Sequence, residues 1–216
     1  MLKLIKVCPP VKAVLLALAV VCSLGVRAVA QDIQLITLAG QKEMLANPGT
    51  PLAGASSPDV TLVEYFDYNC PFCKQLAPEL ESLIGEDHKV ALVYKEWPIF
   101  GGISVYAAKA VLAAGWQGKY LVAHDTLMRG PRWSDEAQVD RALESAGISL
   151  DRLKKDAASH ATDINALLTR SETEARALGL RGTPGLVVGR QIVPGVVDLK
   201  GLKALVARAR PPSGQG

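Results

Sequence analysis

From Val60 to Phe66 the chain reads VTLVEYF, an almost unbroken apolar run of β-branched and aromatic residues, which predicts a buried strand broken by Asp67-Tyr68-Asn69. The period then changes. Leu76, Leu80, Leu83 and Ile84 recur at helical spacing in a segment that opens at Cys70, with Pro71 suited to its first turn and Pro78 expected to kink it. KVALVYKEW, Lys89 to Trp97, predicts a second strand ended by Pro98 and Gly101-Gly102, so the order is strand, helix, strand, a parallel crossover unit. No strand pattern appears from Ile103 to Leu178. That stretch holds amphipathic or Ala-rich segments instead: Ser104 to Trp116, Tyr120 to Met128, Ser134 to Ala146, Leu150 to Ala158 and Thr162 to Leu178, the last capped by Gly179. Strand-like sequence resumes in GLVVGRQIVPG, Gly185 to Gly195, two short apolar runs joined through Gly189-Arg190 as a hairpin, and Leu199 to Ala209 predicts a final amphipathic helix.

The pattern divides the chain into an α/β core in two parts, 59–102 and 180–210, interrupted by an all-helical insertion at 103–179. The ends behave differently. In residues 1–30, Lys3, Lys6 and Lys12 precede the uncharged run Ala13 to Val26, and Ala28-Val29-Ala30 follows, the order of a cleavable secretory signal with cleavage expected after Ala30. The apolar run is shorter than the roughly 20 residues a spanning helix needs. Residues 31–58 read as an N-terminal extension or linker rich in turn residues, with a short helix between Asp32 and Ala46 weakened by Gly40. The Pro/Gly-rich residues 211–216 read as a disordered tail.

Loss of the leader changes both charge and cysteine content. The full chain has 24 basic and 21 acidic residues; Lys3, Lys6, Lys12 and Arg27 leave with the leader, so the remainder has 20 against 21 and a net charge of −1. No basic patch with interleaved aromatics is left to bind nucleic acid. Of four cysteines, Cys8 and Cys22 also leave, and a single pair, Cys70-Pro71-Phe72-Cys73, remains. A structural zinc site wants about four Cys or His ligands at paired spacings, and His88, His124 and His160 lie far apart, so no metal is expected. A disulfide enclosing only two residues contributes little as a staple. A reactive dithiol is the favoured reading.

Disulfide exchange needs a thiolate, and a helix N-terminus favours negative charge through its unpaired N–H groups. Cys70 is therefore expected to be the exposed, acidic attacker, and Cys73, one turn in and buried, the resolving thiol. Glu64 shares a strand face with Leu62 and Phe66, where a buried carboxylate suits a proton acceptor for Cys73; the competing reading is a strand-edge glutamate facing water. Thr183-Pro184 precedes a strand, a position that is often only a turn. His124, Trp97, Trp116 and Trp133 read as packing residues, and Asp67 and Tyr68 flank the dithiol without an assigned reaction role.

VEYFDYNCPFCK, YKEWPIFGGISVYAAKA and GTPGLVVGRQIVPG together resemble the DsbA-like thiol:disulfide oxidoreductases of bacterial envelopes, within the thioredoxin superfamily and nearest the subgroup reading Phe-Asp-Tyr-x-Cys. The resemblance implies a thioredoxin-like fold with a helical insertion, Cys70 and Cys73 as the redox pair, Glu64 as the buried acid and Pro184 as a cis-proline beside the site. Thr183 would pair its backbone with a substrate peptide, and Pro71 and Phe72 would border that peptide. No cofactor beyond the Cys70-Cys73 disulfide is implied. The partners implied are reduced or unfolded exported proteins in the periplasm and a membrane redox partner, either a quinone-linked oxidase or a thiol reductase. A disulfide donor is the leading expectation; an isomerase or reductase of the same fold is the alternative, and a Cu(I)-binding thiol chaperone a third reading that lacks a Met or His cluster. Phe72 stands where the best-known oxidase of the family has His, which predicts a milder oxidant.

Overall fold

The structure, a computed structural model, describes residues 35–45 and 49–211; the leader with its cleavage position, and the tail from residue 212, lie outside them. The described strands form one mixed sheet in the order β1-β3-β2-β4-β5, where β1 is Leu52–Gly54, β2 Val60–Phe66, β3 Val90–Glu96, β4 Gly185–Val188 and β5 Gln191–Pro194. β2 and β3 run parallel, with Glu64 opposite Tyr94 and Phe66 opposite Glu96. β1 pairs with β3, β4 with β2, and β5 with β4, all antiparallel. The helices are α1 (Leu38–Leu45), α2 (Pro71–Glu86), α3 (Gly102–Ala114), α4 (Tyr120–Arg129), α5 (Glu136–Ser145), α6 (Leu150–Ser159), α7 (Ala161–Ala177) and α8 (Leu199–Ala209), with a 3-10 turn at Gly115–Gln117.

The β2 strand has the bounds its composition predicts, since side chains on both faces are buried and no alternation marks a wet side. The α2 helix carries the chain from β2 to β3 as the expected crossover and continues through Pro78, whose missing N–H leaves one carbonyl in the preceding turn without its helical donor. The insertion is the run of helices α3 to α7. Gly179 has φ +73 and ends α7 in the left-handed conformation that glycine adopts without strain.

One expectation is overturned. Leu52–Gly54 reads as linker, yet it forms β1 at the sheet edge. Three residues are too few to display a period of two, and what fixes them is β3 alongside. Gly54 is required there: a Cβ would lie 2.5 Å from the carbonyl oxygen of Val90, and its φ is +86.

Alternation along β2 and β3 splits their side chains between two cores. Leu62, Phe66, Leu92 and Tyr94 join Leu76, Leu80, Val111, Leu127 and Val206. Val63, Tyr65 and Val93 face the other way, with Met44, Trp97, Ala175, Leu180 and Val187. On that second face Lys95 pairs with Glu174 at 3.0 Å, and the Tyr65 hydroxyl donates to the same carboxylate at 3.0 Å. Glu64 and Glu96 belong by register to the first face, beneath the start of α2.

Candidate functional site

The site is built where β2 ends and α2 begins. Asp67 makes this junction: its carboxylate, 1% exposed, accepts the N–H of Asn69 at 2.7 Å in a tight side-chain turn. It also accepts the N–H groups of Ile99 and Phe100 at 2.6 and 2.9 Å and the Ser104 hydroxyl at 2.7 Å. One side chain thus fixes the loop before α2 to the loop before α3. Asn69 makes the matching tie to the insertion. Its Nδ2 donates to Trp133 O at 3.1 Å and its Oδ1 accepts from Trp133 N at 2.8 Å. Lys74, in the first turns of α2, donates from Nζ to Leu127 O at 2.7 Å and Met128 O at 3.3 Å, closing the C-terminal end of α4. Burial pushes the Lys74 amine down to about 8, against the pull of the charges on Cys73, Asp67 and Cys70.

Cys70 is the N-cap of α2, in extended conformation; its sulfur closes no full capping hydrogen bond, but the first N–H groups of the helix are near enough to act on it. Its thiol is pulled down to about 6: the Cys73 thiol donates to the sulfur and does most of this, and the N–H groups of Cys73 and Phe72 add to it against the cost of burial. Pro71 at N1 has no N–H to give. The structure corrects the expectation of an exposed attacker. Cys70 is 0% exposed, because the Thr183-Pro184 segment, joined by a cis peptide bond, lies against it and the thiol donates to Thr183 O at 3.2 Å. The cover is thin. A groove of about 280 Å³ lined by Phe72, Gln75, Thr183, Pro184, Gly195 and Val196 lies alongside, and the Phe72 ring is 58% exposed. The Thr183 hydroxyl is buried and completes no hydrogen bond while Cys70 is a thiol, yet it also favours the thiolate. A thiolate cannot donate to a carbonyl, so ionisation releases the Thr183 O contact and gives that hydroxyl an acceptor.

Cys73 is buried and burial drives its thiol far above the ordinary range, with the hydrogen bond to Cys70 adding in the same direction. Of the two readings of Glu64, the buried one holds. Glu64 is 1% exposed between Tyr94 on β3 and Leu186 on β4, and its Oε1 has no hydrogen-bond partner. Burial raises its carboxyl to about 8, and the charges of Cys70 and then Glu96 add to the rise.

Around this pair the sequence concealed a polar and aromatic cluster. His124 is buried with Nδ1 3.1 Å from the Tyr68 hydroxyl, and its ring packs against Phe66, Tyr94 and Tyr120. Burial pushes His124 down to about 3, so it stays neutral, a packing residue as expected. Tyr120 donates to Glu96 Oε1. Asp67 carried a legible signal in its place two residues before Asn69 at a strand end. Asn69, Trp133, Glu96 and Tyr120 carried none, since their partners lie 24 to 64 positions away.

Residues 61–207 match the family model described as a DSBA-like thioredoxin domain. A thioredoxin-like oxidoreductase from Silicibacter pomeroyi is similar in structure at 39% identity and a TM-score of 0.76, over 79% of this chain and 97% of that one. The thiol-disulfide exchange protein alpha-DsbA2 from Wolbachia pipientis is similar at 27% identity and a TM-score of 0.73, over 79% and 92%. Among curated sequences, a Na(+)/H(+) antiporter NhaA 3 from Salinispora tropica is 28% identical over 75% of this chain but only 26% of its own length. The chain thus spans about a quarter of such relatives. With a family match over most of its length and the dithiol, buried acid and cis-proline gathered at one helix tip, the chain belongs to the DSBA-like thioredoxin domains.

Proposed function

We propose that the protein is a thiol:disulfide oxidoreductase that donates its Cys70-Cys73 disulfide to reduced exported proteins. One observation carries the reading: the Cys70 sulfur sits where the Cys73 thiol and the N–H groups of Phe72 and Cys73 converge, and its thiol is pulled down to about 6. A low thiol pKa makes Cys70 a good leaving group and favours the reduced pair over the disulfide. The substrate thiolate attacks Cys70 Sγ; the Cys70-Cys73 bond breaks, the substrate-Cys70 bond forms, and the electron pair leaves on Cys73, which takes a proton from Glu64. A second substrate thiolate then attacks the substrate sulfur of that bond, forming the substrate disulfide and releasing Cys70 as thiolate. Thr183 and Pro184, with Phe72 and Pro71, border the groove in which an extended substrate segment would lie.

The leader of basic head, apolar run and Ala28-Val29-Ala30 supports an envelope location, the periplasm, with reduced exported proteins as partners and a membrane oxidase restoring the disulfide. The test is alkylation of the reduced protein by iodoacetamide across pH 4 to 10. Cys70 should react with a midpoint near 6, and a Cys73→Ser variant should accumulate a mixed disulfide with a disulfide-bonded peptide, Cys70 attacking one sulfur of that bond and the other leaving as the peptide thiolate. A midpoint near that of free cysteine, about 8.5, or failure of Cys70→Ser to abolish peptide oxidation, overturns the reading.

A further inference from the structure

The proposed reaction uses Glu64 and leaves a second buried carboxylate unexplained. Glu96 is 3% exposed, lies on β3 and points by register to the same face as Glu64. Phe66, not Glu64, is opposite it, so the two carboxylates stand diagonally, two positions apart on adjacent parallel strands and on one face. Their surroundings differ. Glu96 accepts a hydrogen bond from the Tyr120 hydroxyl, which stabilises its charged form, whereas Glu64 Oε1 has no donor at all. The remaining titratable groups facing the pair are Cys70 and Cys73 from α2, Tyr68 before α2, Tyr94 on β3, and His124 on α4, which is neutral. Lys95 turns to the opposite face and pairs with Glu174, and from there its charge still favours the ionised form of Glu96. Arg129 on α4 and Lys74 on α2 lie close enough to act on His124. The backbone N–H of Glu96 itself adds to the hold of Tyr120 on that carboxylate.

We propose that Glu96, fastened by Tyr120, is a positioning residue that carries the first negative charge to form on this buried face, keeps Glu64 protonated through that charge, and thereby sets the pH above which Glu64 can accept the proton of Cys73. The inference rests on the role given to Glu64 above. Two carboxylates in one low-dielectric face do not ionise independently, and the one with a donor loses its proton first. Burial raises Glu96 to about 7, moderated by Tyr120, and Glu64 to about 8, in the order this arrangement requires.

The test is a single-turnover resolution step. The Cys70 mixed disulfide with thionitrobenzoate is formed and the coloured thiol is released as Cys73 attacks Cys70: the bond to thionitrobenzoate breaks, the Cys70-Cys73 bond forms, and the Cys73 proton passes to Glu64. The rate is followed from pH 5 to 10. Wild type should rise through a midpoint above the ordinary carboxylate range but below 8, because the Cys70 charge that helps to raise Glu64 is absent from the mixed disulfide. Glu96→Gln, which keeps an acceptor for Tyr120 but not the charge, should lower that midpoint by about one unit and speed resolution up to about tenfold at the acid end of the range, below both midpoints. Tyr120→Phe lets Glu96 keep its proton and should shift the midpoint in the same direction, which provides the reading if Glu96→Gln does not fold. In a Glu64→Gln background Glu96→Gln should shift nothing. A midpoint left in place by Glu96→Gln or Tyr120→Phe, while Glu64→Gln removes it, overturns this inference alone. A profile untouched by Glu64→Gln overturns both this inference and the role of Glu64 in the proposed reaction.

Discussion

Between the two cysteines, Pro71 has no N–H and Phe72 offers the Cys70 sulfur only its backbone N–H, since a phenyl ring neither donates a hydrogen bond nor carries charge. Stabilisation of the thiolate therefore depends on the helix end, the Cys73 thiol and the Thr183 hydroxyl. This places Cys70, at about 6, between thioredoxin, whose thiol lies near 7, and DsbA, near 3.5. The reduction potential should accordingly fall between about −270 and −120 mV. Glutathione equilibration measures it directly, and a value at or above about −120 mV would contradict the account of Phe72. Because the ring is 58% exposed, Phe72→His should fold normally, and the imidazole should raise the potential by about 30 mV or more, a tenfold change in the equilibrium. No change would mean that the side chain at this position does not reach the sulfur.

At the scale of elements, the position of α2 depends on Asp67 and Asn69 more than on the helix itself. Asp67→Ala would leave the N–H groups of Ile99 and Phe100 and the Ser104 hydroxyl without their acceptor. Urea unfolding should show a loss of about 3 kcal/mol or more, with Asp67→Asn between it and wild type because one oxygen remains. A loss below about 1 kcal/mol would mean that water replaces the carboxylate. The elements Asp67 joins were legible: VTLVEYF gave β2, the Cys70-Pro71 opening gave α2, and Leu199 to Ala209 gave α8, because each carries its own period and its own ends. The β1 strand was not, being three residues long and defined only by pairing with β3. Within the site, Cys70, Cys73 and Glu64 could be read from spacing and alternation. The cover over Cys70 could not, since it comes from Thr183, 113 positions away. Nor could the Glu96-Tyr120 pair, which forms only when the insertion folds back over the sheet.

For the whole molecule, the redox state of one residue pair changes the balance of folding. The disulfide encloses two residues and removes little entropy from the unfolded chain, so cross-linking adds little to the oxidised form. The reduced form instead gains from the Cys70 thiolate. Its thiol titrates at about 6 when folded against 9.0 in its ordinary state, so the contribution is fully present above about 9 and is lost as pH falls through 6. It amounts to no more than about 4 kcal/mol, and less after the screening that a shallow site receives. Glu64 works in the other direction: raised to about 8, it favours the folded state when protonated and that stability is lost as pH rises from 4.5 to about 8. Part of this loss is due to the Cys70 charge itself and therefore falls on the reduced form alone. Thermal melting of the two forms should show a reduced-minus-oxidised difference close to zero at pH 5 that grows in favour of the reduced protein towards pH 8. Glu64→Gln, by removing the opposing carboxylate, should widen that difference at pH 8. Equal melting temperatures at both pH values would mean that the thiolate gains nothing from the folded helix end, and the disulfide would then be no stronger an oxidant than that of an unstructured peptide.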